Sequence, residues 1–218
     1  MTDLPTSSGA AGGGRLVSLG RADTALYAPL RDWMMSSRLI DEALKAGDDA
    51  PDFFLPDDQA HLVALRGLLE KGPVVLAFIG GGWCSFCVAK LKALAAALTG
   101  RGDASVSLVA LTPETGAYPR QMRAAHQLDC SVLSDVDYGV ALLFGLISVV
   151  PLEIVADMAA RGVDLGARHG VAKPMLAAPV VYLIAPSGKI AWAALDQDFT
   201  TSADTVGLLA ALDRLPNP

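Results

Sequence analysis

The chain has 218 residues and a formal charge of −6, with a pI near 4.9. This balance argues against nucleic acid or an anionic membrane surface as a partner, because holding a polyanion takes clustered Lys and Arg and no such cluster occurs. With 52% hydrophobic and 18% charged residues and a mean hydropathy of +0.41, the composition fits one sizeable core rather than two full domains.

In chain order, residues 1–20 (MTDLPTSSGAAGGGRLVSLG) offer little apolar surface to offset chain entropy and are expected to form a disordered tail. They carry neither the basic leader nor the apolar stretch of a secretory signal, so a cytoplasmic protein is expected. Residues 21–46 read as an N-terminal helical extension. Leu26, Leu30, Met34, Ile40 and Leu44 recur at roughly helical intervals between Ala25 and Lys45, and Gly47 is a plausible stop. A single domain is expected over 47–218.

Its first stretch, GDDAPDFFLPDD, holds Pro51 and Pro56 around a short aromatic run and should be extended and at an edge. HLVALRGLLEKG predicts a short helix ending at Gly72. PVVLAFIG, residues 73–80, is β-branched and aromatic without alternation, the pattern of a central strand covered on both faces. After the segment FIGGGWCSFC, AKLKALAAALTG sets Leu91, Leu94 and Leu98 on one helical face and closes at Gly100. ASVSLVALT and CSVLSD predict strands, PRQMRAAHQL and YGVALLFG helices, and this alternation demands parallel pairing with right-handed crossovers.

The longest uncharged segment, YGVALLFGLISVVPL at 138–152, is shorter than the roughly 20 residues of a membrane span and reads as core. Past residue 175, VVYLIAPSGKIAWAAL predicts two strands joined at PSGK, an antiparallel hairpin, with a last helix over Ser202–Leu215. A parallel unit followed by a hairpin and a helix is the arrangement of an α/β, thioredoxin-like fold: a central mixed sheet flanked by helices.

Two of the three cysteines, Cys84 and Cys87, are spaced by three directly after the central strand and a glycine triplet. Placed at the start of a helix, Cys84 meets unpaired N–H groups and the positive end of the macrodipole, which favour a thiolate. In such positions a cysteine pKa falls from about 8.5 to roughly 3.5–7.5. One helical turn lets a sulfur oxidised at one position be captured by the other. Cys130 and His126 would complete a zinc site in principle, but they belong to a strand start and a helix end, so no metal and no other cofactor is expected. A purely structural pair is the third reading. Trp83 is expected to shield the site, Lys90 and Lys92 to be solvated, and Cys130 to point into the core beside the third strand. His61, His126 and His169 keep no catalytic spacing to the pair and read as surface or helix-end residues.

Thioredoxin-like sites commonly set a cis proline against the cysteine pair, where its backbone can meet an extended substrate. Pro179 lies immediately before a strand at the matching place, so a cis Ala178–Pro179 bond is expected. Taken together, GDDAPDFFLPDD, GPVVLAFIGGGWCSFC, ALTPE, VLSD with FGL, APVVYLI and SGKIAWAALDQDFT resemble, in order, the peroxiredoxin-like branch of the alkyl hydroperoxide reductase and thiol-specific antioxidant family. The resemblance runs from about Gly47 to Leu215. It implies a thiol reaction at Cys84 and Cys87, with Trp83 and Pro179 at the substrate. The substrate would be a hydroperoxide or a protein disulfide, and a thioredoxin-type or other dithiol would be the reductant.

A homodimer is among the assemblies the resemblance allows. It leaves the attacker open: set beside ordinary peroxiredoxins Cys87 takes that place, set beside thioredoxins Cys84 does. No arginine immediately precedes the VVYLI strand, and Arg161 or Arg168 could supply the cation from the preceding loop. The alternatives to a peroxidase are a protein disulfide reductase and a non-catalytic redox-sensing module.

Overall fold

A computed structural model describes residues 21–38, 40–102, 104–195 and 198–216. The tail expected over residues 1–20 lies outside the described residues. Helix α1 (Arg21–Ser36) comes first, followed by a ribbon of β1 (Phe54–Pro56) and β2 (Leu62–Ala64) that runs into α2 (Leu65–Leu69). The core unit continues through β3 (Val74–Phe78), α3 (Ser85–Arg101), β4 (Ser107–Thr112), α4 (Tyr118–His126), β5 (Ser131–Ser134) and α5 (Gly139–Leu143). Then come β6 (Ile147–Val149), α6 (Leu152–Ala160), α7 (Leu165–His169), β7 (Met175–Ala177), β8 (Val181–Ile184), β9 (Ile190–Ala194) and α8 (Thr205–Asp213).

The sheet has the order β5-β4-β3-β8-β9, with β3, β4 and β5 parallel and β8 antiparallel to β3 and β9. All of β3 is buried, as expected for a strand of branched and aromatic residues covered on both faces. The hairpin turns at PSGK, where Gly188 has φ +83° and its N–H donates to the Ala185 carbonyl. This is the mixed sheet flanked by helices of a thioredoxin-like fold. Among the described residues no helix is long and apolar enough to cross a membrane.

Three local readings give way to tertiary structure. The first helix ends at Ser36 rather than near Lys45, because the Ser36 and Ser37 hydroxyls donate to the carbonyls of Trp33 and Met34 (2.9 and 2.8 Å) and Arg38 turns left-handed at φ +53°. HLVALRGLLEKG is strand before it is helix. The Asp57 carboxylate accepts the N–H groups of Gln59 and His61, both at 2.8 Å, and folds residues 62–64 back onto β1. The segment 138–152 is only partly core: Val140, Phe144, Leu146 and Val150 are buried, whereas Leu142, Leu143, Val149 and Leu152 are exposed. Its end forms β6, which pairs with β7 across an excursion holding α6 and α7.

Candidate active site

Strand β3 delivers the chain to the cysteines through Gly80, Gly81 and Gly82, and each glycine is there because something else occupies the space a side chain would need. A Cβ on Gly80 would meet the Trp83 indole at 2.7 Å, one on Gly81 the Glu114 carboxyl, and one on Gly82 the Met122 side chain at 2.8 Å. Gly81 also has φ +135°, a conformation other residues rarely adopt. The Cys84 N–H closes a turn onto the Gly81 carbonyl at 3.2 Å.

Cys84 is the N-cap of α3. Its backbone is extended (φ −89°, ψ 99°), its carbonyl accepts the Val88 N–H, and its Sγ accepts the Cys87 N–H at 3.1 Å. Sulfur thus takes the place that an Asp or Ser oxygen fills in an ordinary cap, at the positive end of a 17-residue helix. The two sulfurs form a disulfide, with the Cα atoms 5.2 Å apart. Both cysteines are buried, Cys84 at 1% and Cys87 at 5% exposure. The Ser85 hydroxyl between them is buried without a partner.

A cavity of about 10 Å³ lies against the sulfurs, walled by Leu30, Met34, Trp83, Leu176, Pro179 and Phe199. The structure therefore brings Trp83 and Pro179 together with the pair. The Trp83 Nε1–H donates to Gly80 O at 2.9 Å. The Ala178–Pro179 bond is trans, contrary to expectation. The chain achieves its corner otherwise: the Val180 N–H reaches back over the proline to Ala178 O at 2.8 Å, a three-residue turn suited to proline's fixed φ. The Ala178 N–H goes to Leu146 O and the Val180 carbonyl accepts from Phe78, so both flanks are tied without a cis bond.

Glu114 is a residue that sequence reading passed over. It is fully buried, and one carboxylate oxygen accepts the Gly82 N–H at 2.8 Å while the other accepts from the Arg168 guanidinium at 2.5 Å. Arg168 lies over the Tyr118 ring at 4.6 Å, and its carbonyl accepts the Thr115 N–H. The glycine turn before Cys84 is thus bolted to the α7 excursion through one carboxylate. The only signal in the sequence was ALTPE itself, which names a residue but not its neighbours. Neither Arg161 nor Arg168 lines the cavity: Arg161 pairs with Asp157 of its own helix and Arg168 serves Glu114. Lys92 is exposed as expected, but Lys90 is buried at 7%, and neither lines the cavity.

His169 is not at the surface. It is 1% exposed, with Nδ1 3.0 Å from the Tyr138 hydroxyl, which itself accepts the Met175 N–H at 3.3 Å. The other ring nitrogen, Nε2, is buried without a hydrogen-bond partner. Burial, reinforced by the Arg168 charge, pushes its pKa down to about 4. Because this lies below the unfolded value of about 6.5, the native state binds fewer protons and loses stability as pH falls from about 6.5 toward 4. Going from pH 7 to 5 is expected to remove about 2 kcal/mol through this residue, read as a fall in the urea midpoint. In His169→Asn that pH-dependent part disappears, whatever the variant's baseline.

Cys130 is free and buried, as expected, and its thiol is pushed up to about 11 by burial. A thiol in that state is a poor nucleophile. Cys130→Ala is expected to leave the rate of dithiol oxidation within about twofold of wild type, measured by stopped-flow tryptophan fluorescence. A larger loss would give Cys130 a part in the reaction. Among the described residues no group of three His, Cys, Asp or Glu side chains is arranged to hold a metal ion.

A disulfide-bonded cysteine pair at the start of the helix that follows the central strand, on this sheet, is the arrangement of a thioredoxin-fold protein. The chain's residues 46–193 match the AhpC/TSA family, and the chain belongs to that peroxiredoxin-like family. No curated protein matches it. Solved structures similar to it include the peroxidoxin BcpB of Mycobacterium tuberculosis, 21% identical over 80% of this chain and 99% of that one, with a TM-score of 0.60. The bacterioferritin comigratory protein of Xanthomonas campestris is 14% identical over 77% and 93% (TM-score 0.59), and a thiol peroxidase from Chromobacterium violaceum 16% over 78% and 87% (0.54). At these identities the likeness is one of fold.

Proposed function

We propose that the protein is a thiol peroxidase that works through a Cys84–Cys87 dithiol–disulfide cycle, with a thioredoxin-type or other cellular dithiol as reductant. The observation that carries this reading is the Cys84 sulfur at the N-cap of α3, accepting a backbone N–H, with the Cys87 sulfur in bonding reach one turn on. In the reduced protein the Cys84 thiolate attacks one peroxide oxygen. An S–O bond forms as the O–O bond breaks, sulfur gives up two electrons, and the departing oxygen takes a proton to leave as water or an alcohol. Cys87 then attacks the sulfenic sulfur, the S–S bond forms, and water leaves. An external dithiol returns two electrons and two protons and becomes a disulfide itself.

Trp83 and Pro179, on the cavity wall, are the residues that meet substrate in this scheme. None of the residues lining the cavity carries a charge, so negative charge on the departing oxygen is met by the N–H groups at the start of α3 rather than by a guanidinium. Stopped-flow mixing of the reduced protein with hydrogen peroxide tests the reading, with two thiols lost per peroxide as the expected result. Turnover of insulin disulfides without reaction with peroxide would make the protein a disulfide reductase instead, and inertness to both a redox-sensing module.

A further inference from the structure

The cysteine pair is covered in part by a helix that lies outside the stretch matched by the family. The family match begins at residue 46 and ends at 193, so α1, at 21–36, lies outside it, as does the segment around Asp198. Yet Leu30 and Met34 of α1 form one wall of the cavity and are 1% and 3% exposed. On the same helix Tyr27 is buried, its hydroxyl donating to the Trp83 carbonyl at 2.6 Å, one residue before Cys84. Its ring contacts those of Trp83, Phe86 and Phe199, with centroids 5.8, 6.0 and 6.1 Å away. One turn on, the Arg31 guanidinium pairs with Asp198 at 2.7 Å, and Asp198 is braced by the Thr200 N–H at 3.0 Å. The helix stops at the two serines and the left-handed Arg38, so it is joined to the domain through a turn rather than a continued helix.

The space left is small. A cavity of about 10 Å³ holds roughly one water molecule. Hydrogen peroxide, two linked oxygens, needs little more room than that. A cumyl hydroperoxide, or the extended chain of a protein disulfide, cannot touch Cys84 while Leu30 and Met34 are in place.

We propose that α1 is the specificity element of this site. Seated, it limits the dithiol to hydrogen peroxide and reductants that open it, and bulky hydroperoxides react only in molecules whose Arg31–Asp198 latch has released. The catalytic half of this statement rests on the peroxidase reading, whereas the steric half does not. A latch of one partly exposed ion pair shifts such an opening equilibrium by about fivefold when removed.

The test compares the reduced wild type with Arg31→Ala, which removes the cation from α1, and Asp198→Asn, which leaves α1 untouched, all in a Cys130→Ala background. Two probes of each size are used: iodoacetamide against a maleimide–polyethylene glycol for alkylation, and hydrogen peroxide against cumene hydroperoxide for oxidation. In both latch variants the bulky probe is expected to react about fivefold faster than with wild type, while the small probe changes by less than about twofold. Equal acceleration of small and bulky probes, or no change in either variant, overturns the proposal. Size-selective alkylation without consumption of either peroxide would uphold α1 as the gate and overturn the peroxidase reading alone. Should Arg31→Ala fail to fold, Asp198→Asn carries the same comparison.

Discussion

With Cys84 replaced by serine, the reduced protein is expected to lose its reaction with hydrogen peroxide by about 10⁴-fold or more, because a hydroxyl at the N-cap is not ionised where a thiolate would be. Cys87→Ser is expected to behave differently. The attacking sulfur and its cap remain, so peroxide is still consumed once, but the sulfenic acid has no partner one turn away and accumulates, open to capture by dimedone and to over-oxidation. The asymmetry follows from the cap: the Cys84 Sγ accepts the Cys87 N–H, which survives a change of the Cys87 side chain, whereas Cys87 lies inside the first turn. Mass spectrometry after dimedone labelling reads the outcome directly. Equal labelling of the two variants would remove the assignment of Cys84 as attacker, and labelling of Cys84→Ser alone would reverse it.

The second large effect is expected far from the sulfurs in sequence. Glu114→Ala takes away the acceptor of the Gly82 N–H and the partner of Arg168 at once, leaving an unpaired donor and an uncompensated guanidinium beside the glycine turn. Arg168 keeps a quarter of its side chain in solvent, which softens the penalty relative to a fully buried pair, and a loss of about 3 kcal/mol is expected by denaturant titration. The same change frees the turn whose Gly81 carbonyl holds the Cys84 N–H. Displacement of the attacking atom by about 1 Å costs up to about 10²-fold in rate, so peroxide reactivity of the folded fraction is expected to fall by about 10- to 100-fold. Glu114→Gln keeps an oxygen for Gly82 and should recover most of that rate while recovering less of the stability. A Glu114→Ala protein that reacted at the wild-type rate would show the turn to be held by other contacts, such as the Trp83 Nε1–H on Gly80 O.

The cavity sets these effects in context. Both sulfurs are buried, and the wall facing them is built of Leu, Met, Trp, Pro and Phe side chains. In the proposed reaction a polar oxidant would leave its water behind and meet the positive end of α3.

Much of this was legible in the chain itself. The run PVVLAFIG is apolar without alternation and rich in branched and aromatic residues, the pattern of a strand with both faces covered, and β3 is that strand. Two cysteines at positions i and i+3 just after it are expected at the start of a helix, and Cys84 is the N-cap of α3 with Cys87 in its first turn. The alternation of strands and helices, then a hairpin at PSGK, determines the mixed sheet. What sequence periodicity could not decide is how distant segments meet. His169 and Lys90 read as surface residues because polar side chains usually are, and both are buried because separate elements close over them. Glu114 carries no pattern at all until Gly82 and Arg168 arrive from either side. Pro179 keeps the ordinary trans bond, and its flanks are tied by hydrogen bonds to Leu146 and Phe78, residues far away along the chain. Local propensity acts over a few residues and is worth fractions of a kcal/mol, so it sets which elements exist. The placing of α1 over the cysteines is decided by long-range burial, the Tyr27 hydroxyl on the Trp83 carbonyl and the Arg31–Asp198 pair, which only the folded chain brings into contact.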